Sequence, residues 1–414
     1  ILIDDTALNS CLILNEWNIG TEKLHLLLRD GGANIKKAAE YMKIDHESCF
    51  IHTQQLVVLD AIRSQRSVSD LIAVARNIVT HFNHSSVSRE KLENIQKELN
   101  MPAKKFVQDV QTRWNSTYYS LERLFEQKRP ISLFIADNNV IGSLLQNQWQ
   151  LTENILLLLK PFEEITRRFS STNCIISEVI PTLVALQKYL LQNPAHGLGT
   201  MKDILISNIN ERFIGIECNQ HYAYASFLDP RFKLVFISDN NKEKLKEEIL
   251  ALVTSQNLRI TEEIYNETNQ EIDSSDSDDL PLTLVATASK RMRTDTDTSV
   301  FDIMPEIAST SISHSVNLSN EKDIKLEIDL YIKQNIINRD TSLFDWWKTH
   351  QKTFPTLAAL AKHYLCAPDT TVFSERLFLE AGNVFETHRN RLLAENGEKL
   401  VFLQITYQIV NFFL

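Results

Sequence analysis

From Tyr118 to about Asn257 the sequence runs as one amphipathic helix after another, with predicted segments at 121–128, 149–169, 177–192, 201–213 and 242–252. Apolar residues recur there at every third or fourth position, the spacing that turns one helical face into a core. Only 9 of the 414 residues are glycine, well below the roughly 7% of ordinary usage. A chain with so few sharp-turn residues and so much helical periodicity is expected to be mainly α.

The exceptions lie toward the two ends. Leu24-His25-Leu26-Leu27-Leu28 is a compact apolar run that stops at Arg29-Asp30-Gly31-Gly32, and a helix is predicted over 33–42. A strand ending there leaves the Asp30 carboxylate at its C-terminal edge, where ligand sites of open sheets sit. An Asp capping the next helix is the alternative. Cys49-x-x-His52 offers two metal ligands, but zinc takes three or four and no second pair lies nearby. As a metal motif the pair is therefore weak, and both residues are expected to be architectural. Helices are predicted over 67–82 and 88–99, the second with capping chemistry at Ser88. A short strand is predicted over 106–110, ending at Arg113-Trp114. By itself such a pair reads as a core Trp beside a structural Arg.

Residues 261–319 change character. Between 261 and 300, ten acidic residues stand against three basic ones, so most of the formal charge of -10 is local. With repeated Ser and Thr and few apolar anchors, this segment is expected to be disordered, because it buries too little to offset its ordering entropy. Net charge thus neither argues for nucleic acid nor against it. The longest apolar runs fall far short of the ~20 residues of a membrane span, and the first residues lack the basic region of a signal peptide. Five scattered cysteines without a CxxC pair fit a reducing compartment.

Helical periodicity returns at 326–337. Leu343-Phe344-Asp345-Trp346-Trp347 follows, and a helix opened by Pro355 carries Leu357, Leu360, Ala361, Tyr364 and Leu365 on one face. The last predicted helix, 398–414, is apolar nearly all round and must be covered on most sides, by a core or by a partner chain. Between these lies PDTTVFSERLFLEAGNVFETHRNRL, residues 368–392. Phe373 and Leu377 are expected to anchor its helix, and Gly382-Asn383 to interrupt it.

That stretch resembles the C-terminal signature of the hobo/Activator-type (hAT) DNA transposases and their domesticated relatives, the zinc finger BED domain-containing proteins among them. EWNIGTEKLHLLLRDGGANIKKA (16–38), the Cys49/His52 pair, TRWNSTYYSLERL (112–124), LLLLKPFEEITRRFSS (156–171) and YASFLDPRFK (224–233) are also similar to that family. The resemblance implies an incomplete RNase H-like core with a small β-sheet, interrupted by a large all-helical insertion. The implied plan is a truncated core over 1–113, the insertion over 114–260, the disordered segment over 261–322, and over 323–414 a C-terminal dimerisation region that completes the core. In the family three carboxylates hold two Mg²⁺ ions for strand cleavage and transfer. Carried over, Asp30 is the second acid, followed by Asn34, and Glu375 of the SER triplet is the third. The first acid has no counterpart among the 29 residues before Asp30.

The resemblance further implies DNA contacts at Cys49, His52, Arg113, Trp114, Arg376, Arg389 and Arg391. It implies a homodimer interface through Trp346, Trp347, Leu403, Tyr407, Val410, Phe412 and Phe413. The expectation is a nuclear, transposase-derived protein that dimerises and associates with DNA, without catalysis, membrane or small-molecule substrate. The alternative is a fragment of an active cut-and-paste transposase. No cofactor is expected for the chain as it stands, and Mg²⁺ if the site is complete.

Overall fold

The computed structural model describes residues 13–16, 18–138, 142–170, 174–267 and 321–384, with Asn396 and Lys399. Nearly all of the predicted disordered segment lies outside the described residues. So do Arg389, Arg391, Leu403, Tyr407, Val410, Phe412 and Phe413. Contacts divide the chain into two compact units, Ile1–Ile216 joined by Cys366–Leu414, and Glu217–Leu365. The division falls inside the predicted 114–260 insertion, and it returns the start of the SER segment to the first unit.

In the first unit, β1 (Leu27–Arg29) pairs in parallel with β2 (His46–Ser48), Leu27 lying opposite His46. Helix α1 (Ala33–Met42) makes the crossover and ends at Lys43, whose left-handed φ of 54° turns the chain back toward β2. From α1 to residue 216 this unit contains α2 (Phe50–Ser64), α3 (Arg66–His84), α4 (Ser86–Glu98), α5 (Trp114–Glu126), α6 (Lys128–Asn138), α7 (Gln146–Phe169), α8 (Val179–Gln192) and α9 (Gly199–Arg212). The strand predicted over 24–28 forms later, over three residues, and is only half-buried. With a single partner strand among the described residues, neither of its faces is fully covered.

Two helices predicted before residue 100 stand where expected, but Ser85 rather than Ser88 caps α4, its hydroxyl accepting the Ser88 N–H at 3.1 Å. No strand forms over 106–110. That backbone is held by side chains instead: Asp109 pairs with Arg76 at 2.6 Å, and the Ser116 hydroxyl accepts the Val110 N–H at 2.7 Å. The core is built where α2, α7 and α9 meet. Phe50 packs against Phe169 and Phe213, centroids 4.8 and 5.5 Å away, and the Gln54 amide donates to the Phe162 carbonyl at 2.8 Å.

The second unit contains α10 (Gln220–Leu228), α11 (Asp239–Glu267), α12 (Glu321–Lys333), α13 (Leu343–His350) and α14 (Pro355–Tyr364). Tyr331 is its aromatic hub, fully buried, stacked on Trp347 at 5.6 Å and met edge-on by Phe227 and Phe354. Its hydroxyl donates to the Phe227 carbonyl at 3.0 Å, and the Trp347 indole N–H to the Leu228 carbonyl at 3.0 Å. The expectation that Trp346 and Trp347 face a partner chain is therefore corrected. They are 9% and 7% exposed, covered by α10 and α12 of their own unit. Two buried charges close this core. Lys233 donates to the Tyr331 and Gln334 carbonyls at the end of α12, while the Glu327 carboxylate accepts the N–H groups of Thr356 and Leu357 that open α14.

The chain then re-enters the first unit, where Pro368 bridges to Ile175 and α15 (Val372–Val384) follows. Gly382 does not break this helix, although an interior glycine costs about 0.5–1 kcal/mol relative to alanine. Leu377, expected to anchor it, is 38% exposed. The protein is mainly helical with a two-stranded sheet, as its sequence indicates. Among the described residues no helix is long and apolar enough to cross a membrane.

Candidate functional site

Three stretches far apart in sequence meet in the first unit around a cavity of about 230 Å³, lined by Cys49, Ile51, His52, Gln55, Thr112, Arg113, Val372 and Glu375. Each stretch is the start of a helix. Cys49 is the N-cap of α2, and Ile51 and His52 form its first turn; Arg113 is the N-cap of α5; Val372 and Glu375 open α15. The peptide dipoles of a helix leave partial positive charge at its N-terminus, so negative groups are favoured at all three.

Backbone bonds fix the walls. The Cys49 N–H donates to the Arg29 carbonyl at 2.7 Å, tying α2 to the end of β1, and the Phe50 N–H reaches the Asp369 carbonyl at 3.3 Å. The Thr371 N–H points at Cys49 Sγ, 3.4 Å away. Gln55 donates to the Thr112 carbonyl at 2.9 Å, and the Ser116 hydroxyl to the Arg113 carbonyl at 2.6 Å. Cys49 is thus a buried structural residue. His52 and Arg113 are different, because neither side chain has a hydrogen-bond or ion-pair partner among the described residues. Arg113 is exposed at the cavity edge.

The carried-over acids make local bonds. Asp30 is exposed at the end of β1, and its Oδ1 accepts the Gly32 N–H at 2.9 Å, a turn bond to the residue that caps α1, whereas no side chain caps the helix itself. Glu375 Oε1 accepts the Thr371 hydroxyl at 3.1 Å. Gly31 joins the Asp30 loop to the cavity, since a β-carbon there would stand 3.3 Å from His52 Nε2. Asn34 is exposed in the first turn of α1. Among the described residues no three His, Cys, Asp or Glu side chains come together in a set that could hold a metal ion.

Two of the residues expected at DNA are used otherwise. Trp114 is 1% exposed and meets Tyr118 edge-on at 6.2 Å, so its ring cannot stack on a base without leaving the core. Arg376 donates to the Ser170 carbonyl at 2.6 Å, holding α15 to the end of α7.

Asp369 is legible in the sequence only as punctuation. It is buried, one carboxylate oxygen lacks a hydrogen-bond partner, and burial pushes its pKa up to about 8, with Glu178 adding to the rise and Arg168 opposing it. The signal that locates it is the Pro-Asp-Thr-Thr run just before the SER triplet.

Known proteins resemble this chain over most of its length. Residues 327–406 match the hAT family C-terminal dimerisation region, and residues 47–157 match the ZBED1 RNase-like helical domain. Zinc finger BED domain-containing protein 4 of Homo sapiens is 28% identical over 374 residues, covering 89% of this chain and 30% of that protein. Zinc finger BED domain-containing protein 6 of Mus musculus is 25% identical, covering 93% of this chain and 40% of its own length. An AC transposase of Zea mays is 24% identical over 422 residues, covering 94% and 49%. The chain thus spans less than half the length of these relatives. The similarity is to one class, the transposase-derived proteins. Within it, the chain is a relative of the hAT transposases and of the zinc finger BED domain-containing proteins, as its SER, RW and strand-end motifs imply.

Proposed function

We propose that this chain is a nuclear, DNA-associated protein that pairs with itself through its C-terminal region, holds the DNA backbone at the cavity around Arg113, and cuts no strand by itself. The observation that carries this is an unpaired Arg113 guanidinium beside three converging helix N-termini. Guanidinium groups and helix N-termini are the groups that bind phosphate oxygens. His52 adds a second side chain without a partner at the same wall. The match of residues 327–406 supports self-association. Non-cleavage is supported by the local bonds of Asp30 and Glu375.

One observation favours the alternative, a part of a cut-and-paste transposase. Gly31 lies against His52, so the Asp30 loop reaches the cavity that Glu375 lines. The test is duplex DNA binding at several salt concentrations. Arg113→Ala is expected to weaken binding and lower the slope of log affinity against log salt by about 1. An unchanged slope overturns the phosphate contact. Nicking with Mg²⁺ or Mn²⁺ that disappears in both Asp30→Ala and Glu375→Ala would establish the transposase reading.

A further inference from the structure

After Leu365 the chain enters the first unit as a short strap, Ala367 to Thr371, which leads straight into α15. The strap is tied to three elements of that unit. Its Ala367 carbonyl accepts the Ile176 N–H at 3.3 Å, its Asp369 carbonyl accepts the Phe50 N–H at 3.3 Å, and its Thr370 hydroxyl donates to the Phe169 carbonyl at 3.3 Å. All three bonds are longer than the usual distance of about 2.9 Å, so each holds weakly. The Asp369 side chain is 3% exposed, and its Oδ2 has no hydrogen-bond partner. Two charged groups act on it, Glu178 from the turn Ile176–Glu178 before α8 and Arg168 from α7. Arg168 is already engaged, its Nε and Nη2 donating to Glu178 Oε2 at 3.0 and 2.7 Å. Beside the strap stand also the Cys49 thiol of α2, the Cys174 thiol just before the turn, and, at its own two ends, Cys366 and Glu375.

We propose that this strap is a proton-dependent latch on the cavity. With Asp369 neutral it lies closed and seats Val372 and Glu375 in the cavity wall; with Asp369 ionised it lifts from α2 and α7, and that wall opens. A neutral carboxyl can stay buried beside Glu178. A carboxylate there would be a second negative charge sharing one guanidinium, and water would draw it out. The same burial holds the carboxyl neutral to about pH 8 in the closed strap, whereas in the lifted strap it ionises near pH 3.9, as in an unfolded chain. The lifted form therefore gains population as pH rises toward 8 and no further. Its weak bonds make the strap open before the core of Phe50, Phe169 and Phe213 does.

Hydrogen exchange of the full chain, read by mass spectrometry on peptides covering 366–376 and 54–64 of α2, tests this without DNA, so its failure leaves the phosphate contact standing. Corrected for intrinsic rates, strap protection is expected to fall by up to about tenfold per pH unit between pH 5 and 8 and to level off above. It should lie below the protection of α2 throughout. Asp369→Asn should hold strap protection nearly constant over the same range. Glu178→Gln should make the fall level off at a lower pH, since Arg168 can then hold the Asp369 carboxylate. Comparing the strap with α2 needs only the unmodified chain, so it decides even where a variant fails to fold. Strap and α2 exchanging together at every pH would mean that Asp369 bears on global unfolding alone, and overturns the latch. So does strap protection that is independent of pH, or that falls equally in Asp369→Asn.

Discussion

The backbone N–H of Thr371 points at the sulfur of Cys49, 3.4 Å away and 322 positions apart in sequence. With the Phe50 N–H bonded to the Asp369 carbonyl, it fastens the segment before the SER triplet to the start of α2. Glu375 reaches the cavity because of this clasp. The Cys half of the CxxH pair is therefore a fastening, and the His half faces the cavity.

Cys49→Ala removes the acceptor from a partly buried N–H, and a cost of about 1–2 kcal/mol is expected in urea unfolding. Cys49→Ser should lose less, since a hydroxyl oxygen can accept the same bond. Equal losses for Ala and Ser would show that the side chain matters only for packing.

Asp369 gives the fold a pH dependence. Its carboxyl is held neutral in the folded protein to about pH 8, while an unfolded aspartate ionises near pH 3.9. The folded state then binds the extra proton, so stability is greatest below the unfolded pKa and falls as pH rises toward 8. Over that window the contribution falls by at most about 1.4 kcal/mol for each tenfold drop in proton concentration. Thermal unfolding from pH 5 to 8 should show this decline in the unmodified chain and a flatter profile in Asp369→Asn. Parallel profiles would remove Asp369 as the cause.

Glu327 is a cap supplied from a neighbouring helix. Its carboxylate accepts the Thr356 and Leu357 N–H groups at 3.1 and 2.9 Å and the Thr356 hydroxyl at 2.7 Å. Glu327→Ala strands these donors at a partly buried helix start, and a loss of about 2–3 kcal/mol is expected in chemical denaturation. Glu327→Gln, which keeps an acceptor oxygen, should recover part of it.

Arg113 and Trp114 are adjacent but should separate experimentally. Trp114→Ala is expected to cost about 3–5 kcal/mol of stability, as truncation of a buried aromatic does. Arg113→Ala should leave the unfolding midpoint nearly unchanged and reduce DNA affinity. Loss of DNA binding by Trp114→Phe in a protein of normal stability would return the indole to the interface.

What the sequence determined is local. The 149–169 periodicity appears as Gln146–Phe169, the Pro355 face buries Leu357, Leu360, Ala361 and Tyr364, and Asp30 does stand at a strand end. Periodicity reports which face of a helix is apolar, because that depends on residues three and four positions apart. It does not report what covers the face. Trp346 and Trp347 read as an interface until Tyr331 and the Leu228 carbonyl, more than a hundred residues before Trp347, cover them. Trp114 and Arg113 share one motif, yet only the packing of α5 sends one inward and the other to the cavity. Likewise, Cys49 and His52 are three residues apart on one helix start, and it is the return of residues 369–375 that makes the first a fastening and the second a wall. Such contacts join segments hundreds of residues apart, so tertiary structure alone decides them.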